Sequence, residues 1–286
     1  MTSIVTTSPA QSAVAEHAQW RARREAGLRE PHGWRSLVDY LWLPSTPSPL
    51  PGLPGEWWTD RSALDRPSAR LRGSASEPFT VAGSDDVLVG VHTVVVEEGG
   101  STVVGHFLPE GREDAGTVPS RVAVELVRRT GRYALRLRDP HAAARHDAAG
   151  VPTFPYDPSW VLDAPVRWFE EPRTIVVGAA RPGLVHEVQA VGEVQVERDG
   201  IVATVVLTGS ARGPVGLLFT DEAGEVAPWR VVWVEEPAVP GTVGTLRLDL
   251  NRAVNLPFAF SDFGTCPAPV PGNHVPFAVT AGEKAP

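Results

Sequence analysis

Cysteine, lysine, methionine and long apolar runs are all scarce in this chain, and each shortage closes off a class of protein. A single cysteine among 286 residues excludes an internal disulfide framework and leaves the redox compartment open. No run of about 18 apolar residues occurs, so no membrane span is expected. The opening MTSIVTTSPAQSAVA has neither a basic start nor a continuous apolar stretch. No signal peptide is read there, and a cytoplasmic protein is expected. Lysine is confined to Lys284, arginine carrying the rest of the positive charge, which reflects composition bias without functional weight. There is no Gly-rich phosphate loop, no H-E-x-x-H, no G-x-S-x-G and no paired CxxC. The easily recognised enzyme classes therefore drop out, whether the protein is an enzyme stays open, and the cofactor is unknown.

What is present describes a globular protein: 42% apolar and 21% charged residues, with 28 prolines and 27 glycines to make frequent turns. The net charge of −8 argues against nucleic acid, because phosphate neutralisation needs a basic face. A neutral or cationic small molecule is the easier partner electrostatically. Oligomeric state is left open.

Along the chain, residues 1–12 are small and polar without a period and are expected to be disordered. Residues 11–29 favour a helix, with Trp20, Arg24 and Leu28 on one side and Arg21 and Glu25 spaced to pair. A second short helix is expected over 34–42, where Trp34, Leu37, Val38 and Leu41 share a face. The proline-rich stretch 44–58 reads as a stiff connector, neither helix nor central strand. From residue 69 onward the pattern turns to short β runs separated by Gly, Asp and Pro. The expected runs are 69–71, 79–82, 87–96, 102–108, 122–127, 133–138, 160–169, 173–177, 184–196, 201–208, 216–220, 229–234, 242–250 and 277–280.

The expected fold is thus mainly β, with an N-terminal helical segment packed on two sandwich- or barrel-like β lobes and an irregular C-terminal tail sealing the second. The domain expectation is 1–12 disordered, 13–58 helical segment and connector, 59–145 first lobe, and 146–286 second lobe with the tail. Residues 141–158, rich in Gly and Pro, would link the lobes.

Several constellations could carry chemistry. His92 and His106 flank a Glu97-Glu98-Gly99-Gly100 hairpin tip and would stand opposite each other with a three- or five-residue loop. No third ligand is fixed by spacing, so ordinary strand histidines are preferred and no metal is assigned. Arg132, Arg136 and Arg138 alternate with Tyr133, Leu135 and Leu137. These three, in a set that also holds Arg128 and Arg129, make an arginine-lined sheet face, able to hold a carboxylate or phosphate or simply to pair with nearby acids. His141 and His146, five apart, are off helical register and read as loop residues. Cys266 lacks an assured base, with His274 the nearest candidate in sequence, and reads as a buried inert thiol.

The tail, 245–284, holds the densest polar pattern. Leu246, Leu248 and Leu250 alternate with Arg247, Asp249 and Asn251, so one face is apolar and the other polar. Arg252 and Asn255 follow at once. A polar cluster here must be satisfied internally or meet a ligand. Two readings stand. In one, Asp249, Asn251, Arg252, Asn255, Trp229, Arg230 and His274 line a pocket for a small organic molecule, in an enzyme or a binding protein. In the other, the same residues only lock the tail of a structural or interaction module.

These residues also carry a resemblance. Asp249 to Phe260 reads DLNRAVNLPFAF, followed by Thr265-Cys266-Pro267-Ala268-Pro269, Asn273-His274-Val275-Pro276 and Ala281-Gly282-Glu283-Lys284. The chain resembles a bacterial family known only as domain of unknown function 1684, whose members close on DFN-R/K-AYNPPCAF, TCP-L/A-PP, N-R/H-L/V-P and AGEK. Trp20-Arg21, Arg24, Leu28, Pro31 and Gly33-Trp34 are similar to that family's W-R…R…L…P-x-G-W opening. This member departs from the pattern at Val254, Leu256 and Phe258, and again at 222–230, where the family has a Gly-rich TSG…TY-G-x-G-R segment. The resemblance implies no reaction, cofactor or catalytic residue.

Overall fold

A computed structural model describes residues 9–62, 66–113, 120–145, 150–210 and 213–286. Most of the expected disordered start, residues 1–8, and His146 fall outside that set. The architecture is mainly β. It divides into two compact units, residues 27–148 with 260–264, and residues 1–26, 149–259 and 265–286.

The helix α1 (Pro9–Leu28) comes first, so residues 9–12 form its opening turn. Proline suits this end because its missing N–H has no intrahelical partner there. Arg21 and Glu25 pair at 2.6 Å, as their i, i+4 spacing implies.

The first unit begins with a single 3-10 turn (Trp34–Ser36) and β1 (Leu37–Trp42). It continues through β2 (Ser48–Pro49), β3 (Glu56–Asp60), β4 (Ser68–Gly73), β5 (Thr80–Val81), β6 (Gly90–Val94), β7 (Ser101–Phe107), β8 (Val122–Arg129) and β9 (Arg132–Arg138), ending on the short α2 (Pro140–Arg145). A five-stranded sheet runs β1-β9-β8-β7-β5 and a four-stranded sheet β2-β3-β4-β6. Trp57, Leu71, Phe79, Val124, Leu126, Tyr133 and Leu135 share one core cluster.

Three expectations are corrected here. The helix expected over 34–42 is mostly strand, because β9 offers a ladder in which Leu41 stands opposite Leu135. A short apolar run fits either period, and the neighbouring strand decides. The proline-rich stretch does enter a sheet: β3 lies between β2 and β4 with Trp57 and Trp58 buried, while Pro49 sits on the edge strand, where a missing N–H is tolerated. Finally, β6 and β7 do not form a hairpin. His92 stands opposite Leu71 in one sheet and His106 opposite Ala123 and Thr80 in the other. The neighbour of His106 is His32, with ring centroids 5.6 Å apart.

The arginine face is formed as the alternation predicts. Arg136 faces Glu125 across the β8–β9 ladder, and Arg138 donates from Nε and Nη2 to Glu125 Oε2 at 2.9 and 2.7 Å. Burial opposes ionisation of Glu125, but Arg138 and Arg136 outweigh it and hold the carboxyl below its usual range.

The second unit contains β10 (Val161–Gly178), β11 (Val185–Arg198), β12 (Ile201–Gly209), β13 (Val215–Asp221), β14 (Arg230–Val234), β15 (Val243–Asp249), β16 (Val254–Asn255) and β17 (His274–Val275). They form a curled sheet ordered β15-β10-β11-β12-β13-β14-β16, with β17 parallel to β13. The runs expected at 160–169 and 173–177 merge into β10, whose register shifts between Trp168 and Arg173. Pro172 lies in that shift, where no ladder hydrogen bond is lost. The concave core includes Val194, Val205, Leu207, Leu217, Phe219, Leu246 and Leu248. The run expected at 277–280 is irregular; there Val279 N donates to the Asp221 side chain.

Candidate functional site

In β15 the alternation buries Leu246 and Leu248 and turns Arg247 and Asp249 to the other side. Asp249 ends the strand by capping the 3-10 turn Leu250–Arg252: its Oδ1 accepts from Asn251 N and from Asn251 Nδ2, both at 3.0 Å. Asn251 is buried. Its amide also joins the Asp157 backbone, donating to the carbonyl and accepting from the N–H, each at 3.0 Å. Arg252 turns outward, with Nε 3.3 Å from Asp249 Oδ2 and Nη1 against Glu235.

Arg230 and Glu283 are both fully buried and organise the end of the tail. Arg230 Nη1 donates to the carbonyls of Ala281 and Glu283, while Nη2 donates to Val279 O at 3.0 Å and to Asp221 Oδ2 at 2.7 Å. Glu283 accepts from Arg21 Nη1 at 2.8 Å, from Arg24 Nε at 3.0 Å and from Asn255 N at 2.7 Å. Asn255 Nδ2 in turn holds Lys284 O at 2.7 Å. A low-dielectric interior tolerates such charges only when they are paired in this way.

A cavity of about 440 Å³ opens beside Asp249. Its walls are Ser12, Ala13, Glu16 and His17 of α1, Tyr156, Trp233 with Glu235 and Glu236, and Arg247, Asp249 and Arg252. His17 Nε2 lies 3.2 Å from the Asn251 carbonyl; since a carbonyl only accepts, the proton is on Nε2. The His17 ring stands 5.0 Å from Tyr156 and 5.6 Å from Trp20. Trp233 is 54% exposed. Among the described residues of this lining four carboxylates face two guanidiniums, and Arg252 already engages Glu235 and Asp249. The cleft thus combines aromatic surface with surplus negative charge.

Of the seven residues singled out in sequence, Asp249 and Arg252 line this cleft. Arg230, Asn251 and Asn255 direct side-chain hydrogen bonds to backbone in the tail and at Asp157, and to the side chains of Asp221 and Asp249. Trp229 packs against Phe258 in a tilted pair with centroids 4.2 Å apart, its indole N–H unpartnered among the described residues. His274 forms an exposed relay, its Nε2 donating to Glu222 Oε1 and Nδ1 facing Thr220 Oγ1, each at 2.9 Å. None of that relay lines the cleft. Cys266 is buried.

Sequence reasoning missed His17, Tyr156 and Trp233. Only Trp233 carried a signal: the strand Arg230–Val234 ends in Glu-Glu-Pro, so a tryptophan at its margin has no core left to enter.

The family model for a protein of unknown function (DUF1684) matches residues 147–284. That segment, just under half of the chain, is similar to DUF1684. It covers Tyr156, β14, β15 and the tail, while the cleft's α1 wall lies outside it. The solution NMR structure of an uncharacterized protein of Haloarcula marismortui is similar at 24% identity, covering 51% of this chain and 80% of that one, with a TM-score of 0.39. No curated protein matches.

Proposed function

We propose that the second unit binds a small organic molecule with a neutral or cationic polar group, in the cleft between α1, Trp233 and Asp249. The observation that carries this reading is the 440 Å³ cavity beside the polar end of β15, walled by an exposed tryptophan and an excess of carboxylates. Its size lies within the range of small-molecule sites, and aromatic faces beside carboxylates suit an amine. Asp249 and Arg252 would contact the ligand. Arg230, Asn251 and Asn255 would act one step back, holding the β15 end and the tail in place. His274 and Trp229 have no role in this proposal. A cytoplasmic location is proposed alongside and is checked by fractionating cells that carry the native gene.

The second reading, a structural module, is favoured by one specific observation, the binding of buried Arg230 to carbonyls of the tail and of buried Glu283 to Arg21, Arg24 and Asn255. The two readings diverge in a titration of benzylamine, benzyl alcohol and benzoate followed by tryptophan fluorescence. Ligand binding predicts saturable quenching in the order amine, alcohol, benzoate, lost in Trp233→Ala and weakened for the amine in Asp249→Asn. No saturable response to any of the three, or equal responses in both variants, leaves only the structural role.

A further inference from the structure

The first unit holds a smaller cavity of about 200 Å³, lined by Leu43, Pro44, Ser45, Thr59, Arg61, Arg132 and Tyr133. In a chain of net charge −8, its lining contains, among the described residues, two guanidiniums and no carboxylate. The side chains of Arg61 and Arg132 have no ion pair or hydrogen bond among the described residues. Arg132 lies instead with its guanidinium 4.0 Å from the centroid of the Trp42 ring, a stacking that fixes the plane of its donors. Asp60, the chain neighbour of Arg61, and Glu98, which reaches the chain neighbour of Arg132, are engaged elsewhere. Asp60 pairs with Arg70 at 2.7 Å and accepts from Ser62 N, and Glu98 accepts from Gly131 N and lies 3.6 Å from Arg128. Thr59, 7% exposed, brings a hydroxyl to the wall, held in position by its own N–H on Pro44 O at 2.8 Å. The Tyr133 hydroxyl is already used by Pro67 and Val96.

We propose that this cavity binds a small oxyanion, a phosphate or carboxylate group, held by the forks of Arg61 and Arg132 with hydroxyl donation from Thr59 and Ser45. Guanidinium forks match the paired oxygens of both groups. The volume corresponds to about six or seven water molecules, enough for one anionic group but not a nucleotide. Arg132 belongs to the arginine run that stood out in the sequence. Arg136 and Arg138 of that run share Glu125, whereas Arg132 lines the cavity with no acid of its own among the described residues.

The test titrates the full chain with sodium phosphate, sodium acetate and sodium chloride at constant ionic strength, by calorimetry and thermal shift. A saturable response to phosphate, acetate or both, and none to chloride, supports the site and identifies which group it takes. Arg132→Gln and Arg61→Gln, both at exposed side chains, should each weaken that binding at least tenfold. Arg132→Lys should weaken it less, and Arg247→Gln, in the other unit's cleft, should leave it unchanged. Responses equal to chloride, no response at all, or full binding retained by both glutamine variants overturns the proposal. This outcome is independent of the benzylamine titration.

Discussion

Glu283 is a carboxylate with no exposed surface, and what makes it tolerable is two guanidiniums and a backbone N–H within 3.0 Å. Replacing it with glutamine keeps the shape but leaves Arg21 and Arg24 without their shared anion. Breaking a buried pair from one side costs about 3–5 kcal/mol, so Glu283→Gln should lower urea stability by that order; a loss under about 1 kcal/mol would mean the pairs are screened like surface ones. His106 supplies the opposite case, a group whose charged form is disfavoured. Burial first, then His32 and Arg121, hold its pKa below the ordinary 6.5. The unfolded chain therefore takes up this proton at a higher pH than the folded one. His106 contributes stability that is complete above about pH 6.5, the unfolded value, and is lost as pH falls through the folded pKa. His106→Asn should flatten the fall in melting temperature between neutral and mildly acidic pH, and an unchanged profile would reject this assignment.

At the level of elements, the tail is an irregular strap whose conformation depends on a few positions. Gly282 has φ +77°, and a Cβ there would run into the Ala253 carbonyl, while Gly241 has φ +75° with open space around it. Backbone strain alone costs about 1–3 kcal/mol. Gly282→Ala should therefore destabilise clearly more than Gly241→Ala in thermal denaturation, the difference measuring how closely the tail approaches Ala253. Equal losses would mean the strap simply moves away. The tail was legible in sequence because all three asparagines of the chain, Asn251, Asn255 and Asn273, fall in it, and each is buried and hydrogen-bonded. The β15 alternation was legible too, since Leu246 and Leu248 fill the core. β1 was not, because Trp34 to Trp42 satisfies a helical face and a strand alternation equally until β9 is known. Nor were the His92 and His106 neighbours, since their separation depends on which sheet each strand joins, and local spacing is silent on that. The cleft was legible at Asp249 and Arg252 but not at its α1 wall, more than 200 residues away in the chain (Asn251 to His17 spans 234 positions).

For the whole molecule, the decisive fact is that the second unit is closed by both ends of the chain. Arg21 and Glu283 are 262 positions apart and meet at 2.8 Å. Trp20 packs against Leu218, Val231 and Val254 on the same unit. The contact closes a loop of most of the chain, at a cost in conformational entropy, so neither end is secured by local structure alone. A chain beginning at Gly27 loses both arginines from Glu283 and uncovers the Leu218–Val231–Val254 cluster. A chain ending at Thr280 removes Glu283 itself and two of the carbonyls that Arg230 grips. Each truncation should abolish or sharply lower the cooperative unfolding of the second unit in urea, while the Trp57–Phe79 core of the first unit, untouched by either cut, keeps its near-ultraviolet signal. Because both cuts remove the same Arg–Glu interaction, their effects should be less than additive when combined. Strict additivity, or a full transition surviving removal of the first 26 residues, would show that α1 rests on this unit without closing it, and the cleft it walls would then have no fixed shape to offer a ligand.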